Sequence, residues 1–155
     1  MSKDSHSMQH DRHAVDDLIN RWVEWCRTRR IFVPPVKSNV LARLRPSRRT
    51  RTDEPDAFLD ADMPYLNMAI HALCERPDFA GDAECFLGVY WYRANIKVIA
   101  HQLQCSRGTV YNRARAFAKR AQSHSLSIRR MHEHVTSADH DETFVVSNSD
   151  ESHAS

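Results

Sequence analysis

The residues best suited to chemistry lie between Ile96 and Phe117, in the run Ile-Lys-Val-Ile-Ala-His-Gln-Leu-Gln-Cys-Ser-Arg-Gly-Thr-Val-Tyr-Asn-Arg-Ala-Arg-Ala-Phe. Ala100 is a small residue where two helices could cross, flanked by apolar Ile99 and Leu103. Gln104-Cys105 follows at the distance of a tight turn, then Ser106 as a helix cap, and Val110 stands ten residues after the alanine. A small residue permits close approach, and the apolar set locks two helices at a steep angle, which is the demand of a helix-turn-helix. Gln104 departs from the glycine commonest in such a turn, where a positive φ costs a non-glycine residue of order 1 kcal/mol.

The chemistry expected of such a pair is the reading of a DNA duplex. With Val110, Ala114, Phe117 and Ala121 inward, the second helix presents Ser106, Arg107, Tyr111, Asn112 and Arg115 to a major groove. Arginine suits guanine, asparagine suits adenine, and Tyr111 can touch a thymine methyl or a phosphate. Lys97, Arg113, Lys119 and Arg120 are placed for phosphates, which supply affinity without sequence information.

The elements that must position these residues are helical. Val15, Leu18, Ile19, Trp22 and Cys26 recur at helical spacing and predict a helix over about 14–29, with Arg27, Arg29 and Arg30 suited to its negative end. Trp25 lies off that stripe. Pro34 and Pro35 break the chain, and a short helix from about Ser38 to Leu44 follows. Residues 46–52 contain no apolar side chain and read as an exposed basic loop, either a solvated linker or a contact for phosphate or protein. A further helix is expected over 62–75, capped by Asp60 or Asp62, with Met63, Leu66, Ile70, Leu73 and Cys74 on one face. Another covers about 81–93 with Phe86, Val89 and Tyr90 inward. Its Tyr90-Trp91-Tyr92 cluster suits core packing, with base stacking as the alternative. The expectation is all-α: a helical domain of about five helices over 14–135, between a disordered leader at 1–13 and an acidic disordered tail at 136–155. Within it, 14–75 forms a supporting part with the basic connector, and 81–131 the DNA-binding part.

Composition narrows the function classes. Three glycines serve nucleotide cradles and hairpin-rich folds poorly. Mean hydropathy is −0.61, and no apolar run approaches the roughly 18 residues of a membrane span, so a membrane partner is not expected. Cys26, Cys74, Cys85 and Cys105 form no CxxC and sit beside apolar stripes, as buried reduced thiols do. Ten scattered histidines lack cysteine partners at ligand spacing, so neither metal nor cofactor is expected. No catalytic motif is present, and the chain does not read as an enzyme.

Charge is strongly blocked along the chain despite a net +2. Residues 21–52 carry +9, 53–85 carry −8, 86–131 carry +9 with no acid, and 132–155 carry −6. Clean basic blocks attract polyanions.

The string Ile99-Ala100-xx-Leu103-x-Cys105-Ser106-x-Gly108-Thr109-Val110-xx-Arg113-x-Arg115-Ala116 resembles the region of bacterial sigma factors that reads the −35 promoter element. The wider layout over about 15–130 is similar to the late-gene antitermination Q proteins of bacteriophages, phage-21 type. It shares a Trp-rich opening helix (Arg21-Trp22-Val23-Glu24-Trp25), a connector with a leucine pair (Ser38 to Leu44), an acidic middle and a Tyr-containing helix before the motif. That resemblance implies a transcription antitermination factor acting in late gene expression in the bacterial cytoplasm. It would bind double-stranded DNA at a late promoter, load onto RNA polymerase holoenzyme and act at the exit of nascent RNA to allow terminator read-through. Trp25 and the Arg48, Arg49 and Arg51 loop are then the candidate polymerase contacts, because an exposed tryptophan beside arginines is the mix enriched at binding hot spots. Burial of Trp25 is the alternative. Two other functions fit the same motif: a promoter-binding regulator with no travelling role, and a DNA-packaging recognition subunit.

Overall fold

The computed structural model describes the backbone of residues 3–29 and 60–142, with side chains over 13–29 and 60–138. The expected short helix at 38–44 and the Arg48, Arg49 and Arg51 loop lie outside the described residues. Among the described residues five α-helices follow one another: α1 Lys3–Thr28, α2 Met63–Cys74, α3 Ala80–Phe86, α4 Ile96–Gln102 and α5 Arg107–Glu142. A 3-10 turn at Pro77–Phe79 leads into α3, and a π turn at Leu87–Trp91 continues it. No strand is present among the described residues, and the domain is all-α.

Two helices outrun their expected ends. α1 begins at Lys3 instead of near Ala14, because residues 3–13 contain neither glycine nor proline to stop it. α5 continues past 135 to Glu142 for the same reason: no breaker occurs after Gly108.

The core forms around Phe86. Its ring lies 5.8 Å from Trp22, 5.4 Å from Tyr90 and 4.7 Å from Phe117, so α1, α3, the π turn and α5 meet at one aromatic centre. Offset aromatic pairs of this kind add to the area they bury. Trp91 packs 5.8 Å from Trp22 and is partly buried with Tyr92, so the tyrosine–tryptophan cluster serves packing. α2 buries Met63, Leu66, Ala69, Ile70 and Leu73, the face its periodicity predicts. Neither expected cap bonds the open turn of α2; the Asp60 carboxylate instead accepts from the Asp62 backbone N–H at 3.0 Å.

Trp25 is buried, at 4% exposure, and this corrects its assignment as an exposed hot spot. Trp22, Val23, Trp25 and Cys26 are all buried, so the last turns of α1 are covered on more than one side and a single stripe understates the buried face. The four cysteines are free thiols, with Cys26 and Cys85 buried and Cys74 and Cys105 half-buried. Among the described residues, no helix is long and apolar enough to cross a membrane, and no cluster of metal-ligating side chains occurs.

Candidate nucleic-acid interface

Asn95 opens α4: its extended backbone breaks the preceding turn, and its side-chain oxygen accepts from the Lys97 N–H at 2.9 Å. One turn later Ile99 and Ala100 go inward, with Leu103 partly buried beside them. α4 then stops on Gln104, which takes a left-handed φ of 49°. The Cys105 N–H reaches back to the Ala100 carbonyl at 2.9 Å, and the Gln104 N–H to that of His101 at 3.2 Å. This double closure is a Schellman motif, in which the left-handed residue carries the reversal and the end carbonyls of the helix are satisfied. Glutamine there bears the strain glycine would avoid.

Ser106 starts α5. Its Oγ accepts from the Thr109 N–H at 3.0 Å, and its carbonyl from the Val110 N–H at 3.1 Å. Val110, Ala114, Phe117, Ala118 and Ala121 are fully buried along the first half of α5. Thus α4, a four-residue turn and α5 stand in the expected order, with Ile99, Ala100, Leu103 and Val110 facing the interior.

The side chains expected to meet DNA divide into two groups. Ser106, Arg107, Tyr111 and Asn112 are exposed at the opening turns of α5, and Lys97 is exposed on α4 nearby in sequence. Lys119 is also exposed, farther along α5. Arg107 and Lys97 form no ion pair among the described residues, so their charge is available to an anion.

Arg113, Arg115 and Arg120, also expected to meet DNA, behave differently: each pairs with an acid of another element. Arg115 Nη2 pairs with the Asp16 carboxylate of α1 at 3.2 Å, and the Tyr90 hydroxyl donates to the same carboxylate. Burial first, then this hydrogen bond, holds the Tyr90 phenol above its ordinary range. Arg113 Nε binds Asp82 of α3 at 2.6 Å, and Arg120 lies 3.8 Å from the same carboxylate with its guanidinium over the Phe79 ring. The hydrogen bonds to Asp16 and Asp82 raise the pKa of Arg115 and Arg113, keeping both firmly charged. Gly81 makes room for the second pair, since a Cβ there would stand 2.5 Å from Arg113 Nη2.

The acid-free block 86–131 is therefore not acid-free in space. Asp16, Asp62 and Asp82 from other elements neutralise Arg115, Arg129 and Arg113 respectively. What remains cationic is narrower, and at the opening of the motif it consists of Lys97 and Arg107. Asp16 and Asp82 were missing from the sequence reading because nothing local marks them: each partner lies 31 to 99 residues away. Asn95, by contrast, carried an ordinary cap signal ahead of an apolar run. Arg115 retains one link to the exposed group, its guanidinium lying 5.8 Å from the Tyr111 ring centre. Comparisons of the chain with protein-family models, curated proteins and solved structures found no match.

Proposed function

We propose that this protein binds double-stranded DNA through α4 and the opening of α5, as a helix-turn-helix, and acts on transcription. One observation carries the reading: a left-handed reversal at Gln104 is followed directly by the Ser106 cap, and beyond them exposed Arg107, Tyr111 and Asn112 stand over buried Val110. Nothing in the core requires those three exposed side chains, and their chemistry is that of base-edge and phosphate contact.

Within transcription, the favoured role is late-gene antitermination in a bacteriophage, with loading onto bacterial RNA polymerase in the host cytoplasm. It rests on the order of sequence elements that resembles the Q proteins. Burial of Trp25 removes one of the surfaces assigned to polymerase, and a promoter-binding regulator that stays at its site is the second reading.

The test is selection from a random pool of duplexes, followed by footprinting on the selected site. A defined site protected by the parent chain and lost in Arg107→Ala and Asn112→Ala is expected. Failure to enrich any sequence would overturn the DNA reading. A terminator read-through assay on a template carrying the selected site then separates a travelling factor from a stationary one.

A further inference from the structure

Two faces of α5 part company beyond residue 121. One side stays tied to the body: Arg129 pairs with Asp62, and the His132 ring meets the Tyr65 ring with Nδ1 3.1 Å from the hydroxyl. The other side carries an apolar seam. Val110, Ala114, Phe117 and Ala121 are its buried first half, spaced alternately four and three residues apart. The same alternation continues without a break through His124, Ile128, Met131, Val135 and Ala138. There the burial stops. Met131 is 69% and Val135 63% exposed, and all described residues from Arg129 onward are exposed.

We propose that this distal seam pairs with the same seam of a second copy of the chain, as an antiparallel two-helix dimer. Three observations support that occupant. First, an uninterrupted heptad alternation is the pattern by which one helix packs along another, and here it continues a seam already used for packing in the core. Secondly, the positions beside Ile128, Met131 and Val135, namely Ser125, Ser127, His132 and His134, hold no carboxylate, lysine or arginine, so an identical helix meets no like charge along that stretch. Arg130 and Glu133 are exposed away from the seam, as solvated positions are. Thirdly, among the described residues past His132 the side-chain hydrogen bonds run within α5 itself and none reaches the body. The end of a helix beyond its last tertiary contact gains stability from a packed apolar face.

The fold also selects the orientation. The seam up to Ala121 is covered by the protein's own core, with α3 packed extensively on α5. A parallel partner would run its body into that cover. An antiparallel partner places the two bodies at opposite ends and overlaps only the free segments. In that register Met131 of each copy meets Val135 of the other, and Ile128 meets Ala138. The pairing is isologous and closes on itself. It does not depend on the DNA reading.

Sedimentation equilibrium on the full chain across a wide concentration range tests the pairing, with small-angle scattering for its shape. The expected result is a reversible two-chain species, elongated, with the two bodies at its ends. Met131→Glu and Val135→Glu should return the mass to one chain with an unchanged melting temperature, because both side chains are exposed within a single copy. Met68→Glu, at another exposed apolar residue, on α2, should leave the dimer intact. Met131→Leu should tighten it. A parent chain that stays monomeric at every concentration overturns the proposal, as does a compact side-by-side pair or a dimer indifferent to both glutamates.

Discussion

Arg115 of α5 reaches Asp16 of α1, guanidinium nitrogen to carboxylate oxygen at 3.2 Å, and the Tyr90 hydroxyl closes on the same carboxylate. A side chain whose position in the motif suits reading a base is thereby engaged in holding two helices together. Asp16→Asn removes the charged acceptor from both partners, and hydrogen bonds to charged groups are worth about 1.5–3 kcal/mol. The expected outcome is a loss of about 1–3 kcal/mol in urea unfolding for Asp16→Asn, with Arg115→Ala similar and the double variant less than additive. Simple additivity would mean the two residues act independently.

Arg107 offers the contrast. It is exposed and, among the described residues, forms no ion pair, so Arg107→Ala should leave the melting temperature unchanged while costing specific DNA binding about 1–3 kcal/mol. Arg115→Ala should instead lower stability and affect every DNA sequence alike. Calorimetric melts beside equilibrium binding on cognate and scrambled duplexes separate the two behaviours. Equal discrimination loss for both variants would return Arg115 to the reading surface.

Salt dependence follows from the narrowed charge. Each phosphate neutralised contributes a slope near about −0.9 in log K against log salt. With Arg113, Arg115 and Arg120 committed to Asp82 and Asp16, Lys97→Ala should reduce the slope by about 1, and Arg113→Ala much less. A steep fall on removal of Arg113 would show that Asp82 releases it on binding.

Helical periodicity made α2 and the inward faces of α4 and α5 legible, the cap at Ser106 followed from residue type, and the strained turn at Gln104 from its spacing after Ala100. These are local matters, decided within a few residues. The pairing of Arg113 with Asp82 and Arg115 with Asp16 was not legible, because charge blocks describe order along the chain while folding mixes them in space. The choice between an exposed and a buried Trp25 was left open for a related reason. One stripe predicts one covering neighbour, and the last turns of α1 have more.

Gln104 invites a stabilising change. At φ 49°, Gln104→Gly relieves left-handed strain of about 1 kcal/mol. The gain should appear as a melting temperature higher by about 2–4 °C. Gln104→Ala should give no such gain. An unchanged melt for the glycine variant would mean that the extra freedom glycine gives the unfolded chain offsets the relief.

Alkaline pH should weaken the fold. Burial pushes the Cys26 and Cys74 thiols up to about 12 and the Cys85 thiol up to about 11, with Glu75 adding to the effect at Cys74. The folded state thus holds these protons more tightly than the unfolded chain, whose thiols ionise near about 8.5. The stabilisation is whole below that pH and is lost as pH rises through the folded values. Urea midpoints should be level near neutrality and decline above about pH 8.5; a level profile through that range would falsify the inference.

α5 is a single unbroken helix from Arg107 to Glu142, about 54 Å of rod at 1.5 Å per residue. Its two ends are therefore in fixed phase. The angle at which Arg107 and Asn112 leave the body is set by the same screw that aims Arg129 at Asp62 and His132 at Tyr65. One residue inserted after Ala121 would turn the distal end by about 100° against the proximal end, while seven would nearly restore the bearing and lengthen the rod by about 10 Å. The helix keeps angle and reach in one element, and neither can be altered there without resetting the other.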